Sequence, residues 1–137
     1  VDALYAPVFE AVAPHAARSG GGFALRENDY VVGVGGERKV GGNAQSLSRD
    51  RFVHHTSFLW DFDPALMGLL TLPEKRPEYR AARGHLDFVT RLGAVVAEHA
   101  AVAGDGDERR GGGGDGDGSG VARVEVFVDA LMRRLDE

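Results

Sequence analysis

The sequence predicts an α+β domain with a small, mainly antiparallel sheet and helices flanking it. Three observations carry that expectation. Short runs rich in β-branched and aromatic residues, broken by glycine turns, cluster between residues 23 and 60. Apolar residues recur at helical spacing on both sides of that cluster, near the start of the chain, over 86–103 and over 121–135. The chain has 137 residues, which bounds it to one domain with one core.

The elements follow in order. Residues 2–18 place Leu4, Val8, Ala11 and Val12 at helical spacing, with Asp2 as an N-cap. Pro7 falls inside this pattern, so the helix either kinks there or begins there. Arg18–Gly22 reads as a helix C-cap and turn. Phe23–Arg26 and Tyr30–Val34 are short strands, and Gly35-Gly36-Glu37 turns the chain into a third strand, Arg38–Leu47. Arg51–Trp60 reads as a fourth, buried strand. Asp63 caps a short helix over Ala65–Leu70, with Pro64 at its first position. Pro73–Arg83 is a charged, proline-punctuated loop. Leu86–Ala103 reads as one helix with Phe88, Leu92, Val95, Val96 and His99 near one face. In the last helix, Val121–Leu135, residues Val124, Phe127, Val128, Leu131 and Leu135 share a side.

Between these two helices, Gly104–Gly120 holds nine of the chain's 20 glycines and carries a local net charge of −3. Such a tract buries too little apolar surface to offset the entropy of ordering it, so it reads as a disordered loop. A phosphate-cradling loop is a poor fit, because Asp105, Asp107, Asp115 and Asp117 would repel the ligand. The expected organisation is a domain over 1–103, a loop over 104–120 and a helix over 121–137 packing on the same domain.

Composition excludes several classes. With no Cys there is no disulfide framework, no thiolate zinc site and no cysteine nucleophile in these residues. The 16 basic and 21 acidic residues give −5, which argues against bulk, sequence-independent nucleic-acid binding. No apolar run approaches the ~18–20 residues that span a bilayer. The residues present hold no basic segment followed by an apolar signal core. Cytoplasm, mitochondrion and plastid all remain open.

The residues that carry chemistry lie between Asn28 and Asp63. Lys39 precedes Gly41-Gly42-Asn43-Ala44. Glycine in a strand marks close backbone approach, and a lysine beside it can reach a phosphate or carboxylate as a point charge. The plainer alternative is a solvated turn lysine. Asp29 could hold a divalent metal on a nucleotide or cap a turn. His54 and His55 are adjacent on a strand, so they point to opposite faces and cannot share one metal.

Asn28-Asp29, Lys39-Val40-Gly41-Gly42-Asn43-Ala44, His54-His55 and Asp61-x-Asp63 stand in the order and spacing of a family pattern. This segment resembles the second half of the catalytic domain of the lipoate–protein ligases, within the biotin/lipoate ligase group and its class II aminoacyl-synthetase-like fold. Arg76–Leu92 resembles the segment that follows. The resemblance implies part of that fold and a site built on this strand. It implies that Lys39 is the catalytic lysine, touching the acyl carboxylate and the α-phosphate. Asp29 would help hold Mg²⁺ and phosphate. Gly41, Gly42, Asn43, Ala44 and His55 would lie along the adenylate. The implied substrates are lipoate and ATP, with Mg²⁺. The implied acceptors are lipoyl domains of 2-oxoacid dehydrogenases or the glycine cleavage H protein, with no nucleic acid and no membrane.

The chain departs from the family pattern in places. Glu27 stands where the family has Arg, and Thr56-Ser57 replace Gly-Thr. The family's Arg-Arg-x-Ser-Gly-Gly-Gly segment lies far upstream of the Asn-Asp pair, whereas Arg18–Gly22 stands too close to be it. The expectation is therefore a C-terminal half of a catalytic domain, with an unpaired sheet edge and an uncovered apolar face. Two alternatives accompany the ligase. An octanoyltransferase would need a cysteine for its thioester. A non-catalytic remnant would bind lipoyl domains or a partner subunit through its exposed sheet.

Overall fold

A computed structural model describes residues 2–14, 22–33, 37–103 and 118–136. The helix β-sheet order is α1 (Asp2–Val12), β1 (Ala24–Arg26), β2 (Asp29–Val32), β3 (Arg38–Leu47), β4 (Phe52–Phe58), α2 (Pro64–Gly68), a 3₁₀ turn (Glu78–Arg80), α3 (His85–Phe88), α4 (Leu92–Ala103) and α5 (Gly118–Leu135). The four strands form one antiparallel sheet in the order β1-β2-β3-β4. The α+β class read from the sequence is the class observed. The turn at Gly35-Gly36, the turn over Arg18–Gly21 and most of the Gly/Asp tract, 104–117, lie outside the described residues.

The core joins α1 to one face of the sheet, with α4 and α5 closing it. Val8, Phe9, Val12, Ala13, Tyr30, Val32, Val40, Leu92, Val96 and Phe127 form one buried cluster. Aromatic rings dominate its centre: Phe9 stacks on Phe23 at 3.7 Å, and Phe58 meets Phe127 edge-on at 5.4 Å. Such ring pairs add about 0.5–1.5 kcal/mol each beyond the area they bury. Helix α1 runs through Pro7 without a break and ends at Val12, with Asp2 as its first residue rather than its cap. Its core face carries Phe9, which is fully buried, beside Val8 and Val12, while Ala11 faces solvent.

Three sequence expectations need correction. The Arg51–Trp60 segment forms a strand, but an exposed edge strand. Phe52 and Val53 are 67% and 58% exposed, and only its far end, Phe58 with Trp60 just beyond, reaches the core. The aromatic core stops at Phe58, so the β3–β4 hairpin projects past the helices that would cover it.

The expected single helix over 86–103 is two helices with an extended break. Val89 makes a parallel bridge to Lys39, the Thr90 amide donates to the Lys39 carbonyl at 2.9 Å, and Arg38 donates to the carbonyls of Leu86 and Val89. Pairing with β3 overrides the local helical pattern, and Phe88 does not share a helix face with Leu92. The side chain of His99 lies outside the described residues.

Helix α5 begins at Gly118, three residues before the expected start. Phe127 is buried, but Val128 and Leu135 are 44% and 57% exposed. One residue of helix turns a side chain by about 100°, which carries Val128 off the stripe that Phe127 occupies. The short helix α2 forms as expected, the Asp63 carboxylate accepting from the Ala65 amide at 2.7 Å. Among the described residues no helix is long and apolar enough to cross a membrane.

Candidate functional site: a cationic concavity at the Lys39–Asp29 pair

Register along β2 and β3 decides what faces what. Asp29 pairs with Gly42 and Tyr30 with Gly41, but Val31 pairs with Lys39. Val40 is therefore an extra residue, a β-bulge. Simple alternation would put Lys39 and Gly41 on one face and Val40 and Gly42 on the other. The bulge breaks this alternation. Val40 enters the core, and Gly41 lies beside Phe58. Lys39 and Gly42 face the opposite side, with Asp29.

On that side Lys39 Nζ lies 2.6 Å from Asp29 Oδ1. The pair lies over Gly42: a Cβ there would stand 3.2 Å from both Asp29 Oδ1 and Lys39 Nζ. Glycine at 42 is what lets the pair lie flat on the strand. Gly41 has a different role. A Cβ there would come within 2.7 Å of the Phe58 ring and of the Ser57 carbonyl, so its smallness serves strand packing.

Tyr79 completes the pair by donating its hydroxyl to Asp29 Oδ2 at 2.8 Å. Burial, then the hydrogen bond to Asp29, pushes the Tyr79 phenol far above the usual tyrosine range, so it stays a donor. Arg26 lies over the Tyr79 ring at 5.2 Å. Glu27 occupies the left-handed region at φ 54° in the two-residue turn between β1 and β2, and its carboxylate accepts from the Glu78 amide at 2.9 Å. The family's Arg position thus holds, in this chain, the anchor of the loop that carries Tyr79.

Glu27, Asn28, Asp29 and Lys39 form one wall of an open concavity of about 280 Å³; Lys75, Arg76, Arg80 and Phe88 line the rest, with Pro73 and Pro77. A second concavity, of about 340 Å³, lies across the Glu27–Asn28 turn. It is lined by Leu25, Asn43, Ala44, Gln45 and His54. There the Asn43 amide donates to the Asn28 carbonyl at 2.8 Å, and Thr56 Oγ1 donates to Asn43 Oδ1 at 2.6 Å. The Thr56 departure from the family pattern therefore fixes the Asn43 carboxamide.

The expected site residues thus divide. Lys39, Asp29 and Gly42 come together, Asn43 and Ala44 line the neighbouring concavity, and Gly41 serves packing. His55 is exposed and lines neither concavity. His54 is the histidine at the site: its Nδ1 lies 3.0 Å from Gln45 Nε2, and its buried Nε2 has no partner among the described residues. Sequence reasoning missed Tyr79, Lys75, Arg76 and Arg80. The basic, proline-punctuated character of 73–83 was the available signal, but nothing local says that this loop folds against Asp29.

Among the described residues no three His, Asp or Glu side chains gather as a metal cage. Both Asp29 oxygens are engaged, each by one donor, and each retains a lone pair. That suits a share in Mg²⁺ carried in by phosphate oxygens, which is how this ion is usually held.

The fold is a bulged antiparallel sheet flanked by helices, and its candidate site is a lysine–carboxylate pair on a glycine-lined strand. Residues 2–103 match the family of the lipoyl protein ligase A/B catalytic domain, and the chain belongs to that family. A protein of Plasmodium falciparum (isolate 3D7) named inactive lipoate–protein ligase 2 is 45% identical over 78 residues, a match covering 51% of this chain and 20% of the relative. The chain spans about a fifth of that relative's length. No solved structure matches.

Proposed function

We propose that the Lys39–Asp29 site serves ATP-dependent activation of lipoate to lipoyl-AMP and transfer of the lipoyl group to a lysine of a lipoyl domain. The acceptor would belong to a 2-oxoacid dehydrogenase or be the glycine cleavage H protein. The observation that carries this reading is the ammonium of Lys39, held by Asp29 over Gly42 at the wall of an open concavity. A lipoate carboxylate oxygen attacks the α-phosphorus of ATP, and the bond to the pyrophosphate bridging oxygen breaks, its electron pair leaving with pyrophosphate. Negative charge gathers on the α-phosphate oxygens in that step. A lysine fixed on a strand meets it with little reorganisation. In the second step the acceptor amine attacks the acyl carbonyl and AMP leaves. Lys39 then faces the departing phosphate. Asp29 holds the ammonium in place, and Tyr79 holds Asp29. Mg²⁺ would neutralise phosphate charge, with Asp29 as its protein ligand. The carboxamide of Asn43, turned by Thr56, offers its amide hydrogens to the adenylate from the neighbouring concavity.

The test is lipoyl-AMP formation by the natural gene product that carries these residues, with and without Lys39→Ala. The expected result is adenylate formation that falls ~10²–10³-fold in the variant, as for loss of a transition-state charge contact, with unchanged circular dichroism. Full activity in the variant removes Lys39 from the reaction.

A second reading has its own support. The Plasmodium relative is named inactive, and β4 presents an exposed edge with Phe52 and Val53. A non-catalytic module that binds lipoyl domains would form no lipoyl-AMP yet retain acceptor binding. Octanoyl transfer through a thioester finds no cysteine in these residues.

A further inference from the structure

The concavity beside Lys39 holds more positive charge than its own carboxylates balance. Its lining contains Lys39, Lys75, Arg76 and Arg80 against Glu27 and Asp29, in a chain whose net charge is −5. Asp29 is committed to Lys39, and Glu27 to the Glu78 amide. Lys75 and Arg76 make no ion pair or hydrogen bond to any described residue, and both side chains are exposed at the mouth.

Arg80 is less expected. It is only 4% exposed, yet among the described residues no carboxylate forms an ion pair with it. Its Nε donates to the Arg83 carbonyl, its Nη2 meets His85 Nδ1 at 3.3 Å, and the guanidinium lies over the Phe88 ring at 4.6 Å. A buried cation with no carboxylate in direct contact is costly to keep. Burial, then the neighbouring guanidinium groups of Arg76 and Arg83, lowers its hold on the proton. An anion entering the concavity would offset the lost hydration and the crowding of like charges. Against Glu27 and Asp29 the four cations leave the lining a net charge of +2, which a single carboxylate would not balance. Phosphate groups would, with Arg76 available for two parallel hydrogen bonds and Lys75 acting as a point charge.

We propose that Lys75, Arg76 and Arg80 form a pyrophosphate subsite beside Lys39, which takes the β- and γ-phosphates of ATP and holds inorganic pyrophosphate as it leaves. The proposal rests on the reading of Lys39 as an adenylation lysine. It gives the loop 73–83 a function in the first half-reaction only: the pyrophosphate is gone before the acceptor lysine attacks.

The experiment uses the natural gene product with the Lys75→Ala/Arg76→Ala double substitution; both side chains are exposed, so the fold is not at stake. Inorganic pyrophosphate binding is measured by calorimetry across a salt series. ATP KM is measured in lipoyl-AMP formation, and lipoyl transfer is measured from preformed lipoyl-AMP. The expected results are pyrophosphate affinity at least tenfold weaker with a shallower salt dependence, ATP KM raised about tenfold, and transfer from preformed adenylate reduced less than twofold. Arg76→Lys should restore part of the affinity. Unchanged pyrophosphate binding in the double variant overturns the subsite. Loss confined to transfer overturns it too, and assigns these cations to the acceptor protein. A wild-type protein that forms no lipoyl-AMP defeats the adenylation reading instead, while its pyrophosphate isotherms, compared with those of the variant, still decide the subsite.

Discussion

Two concavities meet at the Glu27–Asn28 turn and are built by opposite means. The one without cations is assembled mainly from strand neighbours: Asn43, Ala44 and Gln45 on β3, His54 on the paired strand β4, and Leu25 across the turn. Hydrogen bonds between adjacent strands set its side chains, as Thr56 sets Asn43. The cationic one is assembled from segments far apart in sequence, β2, β3, the 73–80 loop and α3. It is held by contacts that span about fifty residues: Glu78 to Glu27, Tyr79 to Asp29, and Arg38 to Leu86 and Val89. The first should tolerate change in the loop, and the second should not.

The largest effect that tests this contrast is the loss of adenylation in Lys39→Ala, because the charge it removes is the only cation paired to Asp29 among the described residues. Two adjacent glycines sharpen the comparison next. Gly41→Ala drives a methyl into the Phe58 ring and the Ser57 carbonyl. It should cost ~1–3 kcal/mol of stability, read as a lower midpoint in thermal unfolding. Gly42→Ala presses only on the mobile end of Lys39 and on Asp29. It should leave the midpoint nearly in place and reduce adenylation about tenfold. If both variants unfold early and neither loses specific activity, the bulge does not separate packing from chemistry as described.

Smaller effects follow from the hydrogen bonds. Tyr79→Phe leaves one Asp29 oxygen without its protein donor, and kcat for adenylation should fall about three- to tenfold with little change in the KM for lipoate. Thr56→Val frees the Asn43 carboxamide, and should raise the KM for preformed lipoyl-AMP a few-fold without touching pyrophosphate binding. His55→Ala should be neutral in every assay, since the exposed ring lines neither concavity. A large loss there would mean that an incoming partner, rather than the chain itself, completes the site around His55.

Much of this molecule is legible in its local sequence. The run of β-branched and aromatic residues between glycine turns gave four strands, and the span Arg38–Leu47 was read to the residue. Asp63-Pro64 announced the short helix that it caps. The ordered blocks Asn28-Asp29 and Lys39–Ala44 pointed to the family, because that chemistry depends on residue types at fixed spacing along paired strands. These are local properties, set by propensity, turn chemistry and motif.

Tertiary contacts decided the rest. The bulge at Val40 chose which of Lys39, Gly41 and Gly42 face the site, and nothing in a period of two foretells an extra residue. Pairing of Val89 with Lys39 broke a segment that reads as helix. The end of the aromatic core at Phe58 left an apolar strand exposed. Docking of the 73–83 loop brought Tyr79, Lys75, Arg76 and Arg80 to Asp29. The sequence by itself determined the strands, the caps and the motif, since each rests on a few neighbouring residues. Which face of a strand carries the Lys39–Asp29 pair, and which distant cations stand beside it, depend on contacts that form only when the chain has packed.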